Sequence, residues 1–181
     1  MGIQEKISQK YKELISHKFD NNPKYQAIIE YIIINEPNLM DDDRIFCFLF
    51  DKIAVNNGLN ECELPSYWTI CRAIYNYKRK HNIKASSFAP KTTRLIIDID
   101  KYNTLLQVYK FDNKKPSIKK IIEKIGIFDN YLLHNDRKLV EYFDAIALLN
   151  GYNENKLPKY WTIIREVFEY KRKIKAENIV R

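Results

Sequence analysis

Leu64-Pro65-Ser66-Tyr67-Trp68-Thr69-Ile70-Cys71-Arg72-Ala73-Ile74-Tyr75-Asn76-Tyr77-Lys78-Arg79-Lys80 occurs a second time as Leu157-Pro158-Lys159-Tyr160-Trp161-Thr162-Ile163-Ile164-Arg165-Glu166-Val167-Phe168-Glu169-Tyr170-Lys171-Arg172-Lys173, 93 positions later. Extending that register without gaps aligns residues 23–84 with 116–177, and 28 of the 62 pairs are identical, both tryptophans of the protein included. Self-similarity at a fixed spacing decides the architecture before any local reading does. The chain therefore reads as a tandem duplication whose unit carries both fold and function.

Within each copy the apolar positions recur at the period of an amphipathic helix. Tyr67, Ile70, Cys71, Ile74 and Tyr77 fall on one side, as do Tyr160, Ile163, Ile164, Val167 and Tyr170. The other side carries Trp68, Thr69, Arg72, Asn76 and Arg79, and in the second copy Trp161, Thr162, Arg165, Glu169 and Arg172. Ser66 has the short hydroxyl side chain that caps a helix start, which Lys159 lacks. Burial accounts for the apolar stripe. A tryptophan repeated on the polar side, in line with two arginines, asks for a partner. The basic runs Lys78-Arg79-Lys80 and Lys171-Arg172-Lys173 extend that strip, although cations at a helix C-terminus also complement its dipole.

Outward from this stretch the unit reads as helices throughout. Ile3, Ile7, Tyr11, Leu14 and Ile15 share one face of a first helix over 3–18. Asn22-Pro23 reads as a cap followed by a proline at the first position of a second helix. That helix turns Ile28, Ile29, Ile32 and Ile33 inward and stops at Pro37. Asp41-Asp42-Asp43 supplies caps for a third, over 45–56, apolar nearly all round and so the buried one. Asn57-Gly58 ends it. Ile118, Ile121, Ile122 and Ile125, then Leu139, Tyr142, Phe143 and Ile146, then Asn150-Gly151 repeat the scheme. Asp43-Arg44 and Asp136-Arg137 read as a cap with its neighbour.

The fold class that follows is all-α: two tandem helical repeats of about four helices each, over 1–85 and 116–181, connected by 86–115. In the connection Leu95, Ile99, Tyr102, Leu106 and Tyr109 fit a helical face. Lys110-Phe111-Asp112-Asn113 also repeats Lys18-Phe19-Asp20-Asn21, which makes the segment the counterpart of the first helix. Its β-branched and aromatic content equally suits a small β-hairpin over 94–111.

The net charge of +8 over 181 residues favours polyanionic partners. Residues 1–85 carry 12 basic and 11 acidic side chains, 86–115 carry 6 and 3, and 116–181 carry 13 and 9. The three cysteines Cys47, Cys62 and Cys71 lie in the first half and form no CxxC pair, as expected of reduced residues in a cytoplasmic protein. Lys and Glu interrupt every apolar stretch, so no membrane span is expected. His17, His81 and His134 are scattered without ligand spacing. There is no phosphate-binding glycine loop and no nucleophile elbow. Asp98 and Asp100, two apart, would not share a helix face. No catalytic residue, metal or cofactor is assigned, and the expectation is a binding protein rather than an enzyme.

The last two helices of each unit, joined through Asn57-Gly58-Leu59-Asn60 and Asn150-Gly151-Tyr152-Asn153, have a helix-turn-helix look. Thr69-Ile70-Cys71-Arg72 and Thr162-Ile163-Ile164-Arg165 stand where a recognition helix presents side chains to base edges. Asp42-Asp43, Leu64-Pro65-Ser66, Thr69-Ile70-Cys71-Arg72-Ala73 and Lys78-Arg79-Lys80 together give a unit that resembles small proteins encoded by phages and prophages of low-GC Gram-positive bacteria. The resemblance covers 27–85 and again 120–177, and it implies a phage accessory protein in the bacterial cytoplasm. The function expected is nucleic-acid binding, with duplex DNA as partner, through Trp68, Thr69, Arg72, Asn76, Lys78, Arg79, Lys80, Trp161, Thr162, Arg165, Lys171, Arg172 and Lys173. The alternative is a non-enzymatic inhibitor, of anti-CRISPR type, that docks the same surface on a host defence protein. One chain supplies both helices, so a monomer with internal pseudo-symmetry suffices and a dimer is optional. Glu166 and Glu169 replace Ala73 and Asn76 and repel phosphates, so the first unit is expected to dominate.

Overall fold

In the computed structural model, which describes residues 2–84, 108–112 and 115–179, every regular element is helical, and no β-strand occurs among the described residues. The chain divides into two units, Met1–Ile96 and Ile97–Arg181. The first contains α1 (Ile3–Lys10), α2 (Lys12–Ser16), α3 (Tyr25–Asn35), α4 (Asp43–Asn56) and α5 (Tyr67–Lys80). The second contains α6 (Ile118–Phe128), α7 (Asp136–Leu149) and α8 (Tyr160–Ile179). The bounds of α6 and α7 and the start of α8 lie 93 residues beyond those of α3, α4 and α5. The 3₁₀ turns Pro37–Asp41 and Asn130–His134 recur at the same spacing. Most of the 94–111 segment, where helix and hairpin compete on sequence, lies outside the described residues. Val108 and Tyr109 at its end form a 3₁₀ turn.

In each unit the third predicted helix is the central one. Phe46, Leu49, Phe50, Ile53 and Ala54 of α4 are fully buried, as are Val140, Phe143, Ile146 and Ala147 of α7. Ile28, Ile29 and Ile32 of α3 and Ile121, Ile122 and Ile125 of α6 pack as the sequence stripe requires. Asp42 caps α4 by accepting from the Ile45 amide at 3.3 Å, and Asn135 caps α7 from the Lys138 amide at 3.1 Å. Both helices end on a glycine in the left-handed region, Gly58 at φ +88° and Gly151 at φ +86°. The amides of Leu59 and Tyr152 then reach back to the carbonyls of Ala54 and Ala147, at 3.1 and 3.0 Å.

The asparagine before each glycine ties down the segment ahead of the unit. Asn57 Nδ2 donates to the His17 carbonyl at 3.0 Å, and the Phe19 amide donates to Asn57 Oδ1 at 3.0 Å. Asn150 Nδ2 donates to the Tyr109 carbonyl at 2.9 Å, and the Phe111 amide donates to Asn150 Oδ1 at 2.9 Å. The repeated Lys-Phe-Asp-Asn sequence thus marks an equivalent anchorage point.

Three local expectations are corrected. The first helix breaks at Tyr11, whose backbone leaves the helical region while its ring is buried, giving α1 and α2. Pro23 is not the first residue of α3. It is buried ahead of an extended Lys24, so it serves as a core residue while the helix starts at Tyr25. Asp43 does not cap α4, because the preceding 3₁₀ turn delivers Asp42 to that position. Asp43 and Arg44 are instead buried, at 7% and 1% exposure, whereas Asp136 and Arg137 are half-buried. No helix among the described residues is long and apolar enough to cross a membrane.

Candidate nucleic-acid interface

The geometry of α5 follows from how its apolar side is fixed. Ser66 Oγ accepts from the Thr69 amide at 3.2 Å and lies 3.0 Å from the Thr69 hydroxyl, closing the first turn. Ile70, Cys71 and Ile74 are buried, and Tyr67 donates its hydroxyl to Asp51 at 2.9 Å. The opposite face is thereby set. Trp68, Arg72, Asn76 and Lys80, each four residues from the last, run along it for about 18 Å at 1.5 Å per residue. Trp68 is half-buried and the other three are exposed.

Across from this face stands α3, which packs against α5. Tyr25, Gln26 and Glu30 of α3 form one wall of a groove of about 510 Å³. Trp68, Thr69, Arg72, Ala73, Asn76, Tyr77, Lys80 and His81 form the other. Gln26 Nε2 donates to Glu30 Oε1 at 3.1 Å. The Tyr77 and His81 rings stack at 4.2 Å with planes 30° apart. Asn82, at φ +51°, ends the helix immediately after His81, and the Ile83 amide returns to the Lys78 carbonyl at 2.9 Å. The groove thus joins aromatic rings, two side-chain amides and two permanent cations, against one carboxylate.

Of the expected first-unit residues, Trp68, Thr69, Arg72, Asn76 and Lys80 are brought together here. Thr69 is largely spent on the cap. Arg79 is exposed but does not line the groove. Lys78 is placed differently. Its ammonium is half-buried in an ion pair with Asp41 at 2.6 Å, on a part of α5 turned toward the 3₁₀ turn before α4, so its charge is used inside the fold.

In the second unit Trp161 and Thr162 are half-buried and Arg165, Arg172 and Lys173 exposed, as at the equivalent positions of α5. The surroundings differ. Ile118 and Ile174 stand for Tyr25 and His81, and Glu166 and Glu169 for Ala73 and Asn76. Glu169 pairs with Arg172 at 3.0 Å, and Glu177 with Lys173 at 3.8 Å. These exposed pairs contribute little to stability, but they place carboxylates among the cations. Burial lowers the Lys171 ammonium pKa, with nearby Asp136 acting in the opposite direction. α8 also runs on past the point where Asn82 stops α5, because Lys175 and Ala176 are good helix formers.

The α3 wall was not legible in the stretch itself. Tyr25, Gln26 and Glu30 look like the solvent side of a helix, and only packing sets them opposite Trp68. Spacing puts Tyr77 on the apolar side of α5, yet its ring also lines the groove. The local signal for that second role is the pairing of Tyr77 with His81, four residues on, whose rings stack. Among the described residues no cluster of His, Cys, Asp or Glu could hold a metal ion. Comparison with protein-family models, curated proteins and solved structures returns no match for this chain.

Proposed function

We propose that the protein binds nucleic acid, as a phage-type accessory protein carrying two related helical units in one chain, with the α3–α5 groove of the first unit as the principal contact. The observation that carries this reading is the convergence of Trp68, Arg72, Asn76 and Lys80 with Tyr25, Tyr77 and His81 on one concavity. Rings that stack on bases beside cations that hold phosphates are the usual means of gripping nucleic acid. The ten residues 57–66 between α4 and α5 exceed the three- or four-residue turn of a helix-turn-helix. Binding within the groove is therefore favoured over insertion of α5 as a recognition helix. The test is binding across a salt series. Log affinity should fall linearly with log salt, and Arg72→Ala or Lys80→Ala should weaken binding at low salt while helical content stays unchanged. Absence of binding to any nucleic acid at low salt would overturn the reading.

A second reading has its own support. Ile127, Phe128 and Tyr131 of the second unit are 73%, 55% and 59% exposed. Asn35 and Asn38 stand at the positions equivalent to Phe128 and Tyr131. Exposed aromatic side chains of this kind suit a protein interface. A non-enzymatic inhibitor that docks on a host defence protein, of anti-CRISPR type, would then use this surface in place of the tryptophan and arginine surface expected from the sequence. Phe128→Ser with Tyr131→Ser should then abolish inhibition while leaving nucleic-acid binding intact.

A further inference from the structure

Resting on the nucleic-acid reading, we propose that the first unit's groove takes an unpaired strand, with a base held among Tyr25, Trp68 and Tyr77 and the flanking phosphates on Arg72 and Lys80. The ligand class is single-stranded DNA or RNA rather than a duplex.

Shape is the first reason. Base edges of a duplex lie on the floor of a groove about 12 Å wide, and reading them takes a protein element that projects. Here the informative side chains line a hollow. Trp68 and Tyr77 are half-buried and line the groove with Tyr25, Gln26 and Glu30 of α3, where a duplex, itself convex, presents no element that would enter it. An unpaired base is thin enough to enter. A volume of about 510 Å³ is within the range that encloses a molecule of nucleotide size.

The chemistry of the two walls agrees. Aromatic faces accept any base, each stack being worth about 5- to 150-fold in affinity. Arg72 and Lys80 lie two helical turns apart on α5, about 12 Å along its axis, with Asn76 between them. Gln26 and Asn76 carry both donors and acceptors and so match the exposed edge of an unpaired base. Glu30 puts negative charge on the α3 wall, which directs the phosphates to the α5 wall. The second unit lacks Tyr25 and His81 and adds two carboxylates, so a single site is expected.

The experiment uses the full chain with Trp161→Phe, which leaves Trp68 as the only tryptophan, since the protein has two. An oligothymidylate and an oligouridylate of about 12 nucleotides, and a mixed-sequence duplex of equal length, are titrated at about 50 mM salt. The expected result is quenching of Trp68 by at least one single strand, with affinity at least tenfold above that of the duplex. The two single-strand arms distinguish DNA from RNA. Tyr25→Ala, at a residue 44% exposed and outside the core, should weaken that binding at least fivefold. Duplex binding as tight as single-strand binding, or binding without Trp68 quenching, would overturn this inference while leaving the nucleic-acid reading in place. An unaffected Tyr25→Ala variant would also overturn it. Failure of all three ligands to bind would remove both.

Discussion

Tyr170 lies so close over Gly126 that a methyl group on that glycine would sit 2.3 Å from the ring carbon Cε1. The equivalent residues of the first unit are Tyr77 and Ile33. Ile33 is buried at 3% exposure and fills the flank of α3, while Tyr77 stacks on His81 and lines the groove. A single loss of side chain on α6 thus lets the tyrosine settle onto its neighbouring helix. In the first unit the same ring is available to a ligand.

A double-mutant cycle measures that contact. In a Tyr170→Ala background, Gly126→Ala should stabilise the protein by up to about 1 kcal/mol, because alanine is the better helix former. With Tyr170 present the same change must push the ring aside, and the gain should disappear. Urea unfolding of the four variants should give a coupling of about 1 kcal/mol. Additive effects would show that the ring moves away without loss.

The two asparagine anchors should rank by burial. Asn150 is 7% exposed and Asn57 half-buried, and each bonds to two carbonyls and one amide. Leaving buried polar groups unmatched costs about 1–3 kcal/mol per group. Asn150→Ala should therefore lower stability by about 2–4 kcal/mol and Asn57→Ala by less. The reverse order of denaturation midpoints would contradict this account.

Lys78 and Arg72 separate structure from binding. Lys78→Ala removes a part-buried pair with Asp41 and should lower stability by about 1 kcal/mol or less, with little change in affinity for nucleic acid. Arg72→Ala should leave stability unchanged and reduce the log–log salt slope by about 1. A loss of affinity from Lys78→Ala equal to that from Arg72→Ala would return Lys78 to the binding surface.

Asymmetry between the units is the last expectation. Trp68→Ala should weaken nucleic-acid binding by about tenfold or more, and Trp161→Ala by less than about threefold. Replacing the second unit's acids with their first-unit counterparts, as Glu166→Ala with Glu169→Asn, should raise affinity by removing charges that repel phosphates. Circular dichroism controls for folding of the tryptophan variants. Equal losses from the two tryptophan changes would remove the asymmetry.

The duplication, the helical class and the helix stops were written in the sequence because each has a local or periodic cause. Isoleucines at helical spacing can bury only one face, and Asn57-Gly58 and Asn150-Gly151 place a glycine where the backbone turns left-handed. The groove is of another kind. Trp68, Arg72, Asn76 and Lys80 could be aligned from spacing alone, since four residues make about one helical turn. Tyr25, Gln26 and Glu30 face them only because α3 is laid against α5 by the isoleucines on its far side. Arg44 and Lys78 carry charge that a sequence assigns to solvent, yet the fold buries one and pairs the other with Asp41. Periodicity fixes which side of a helix is apolar. Which polar side chains then meet across a groove depends on the packing of helices far apart in the chain, and no local pattern records it.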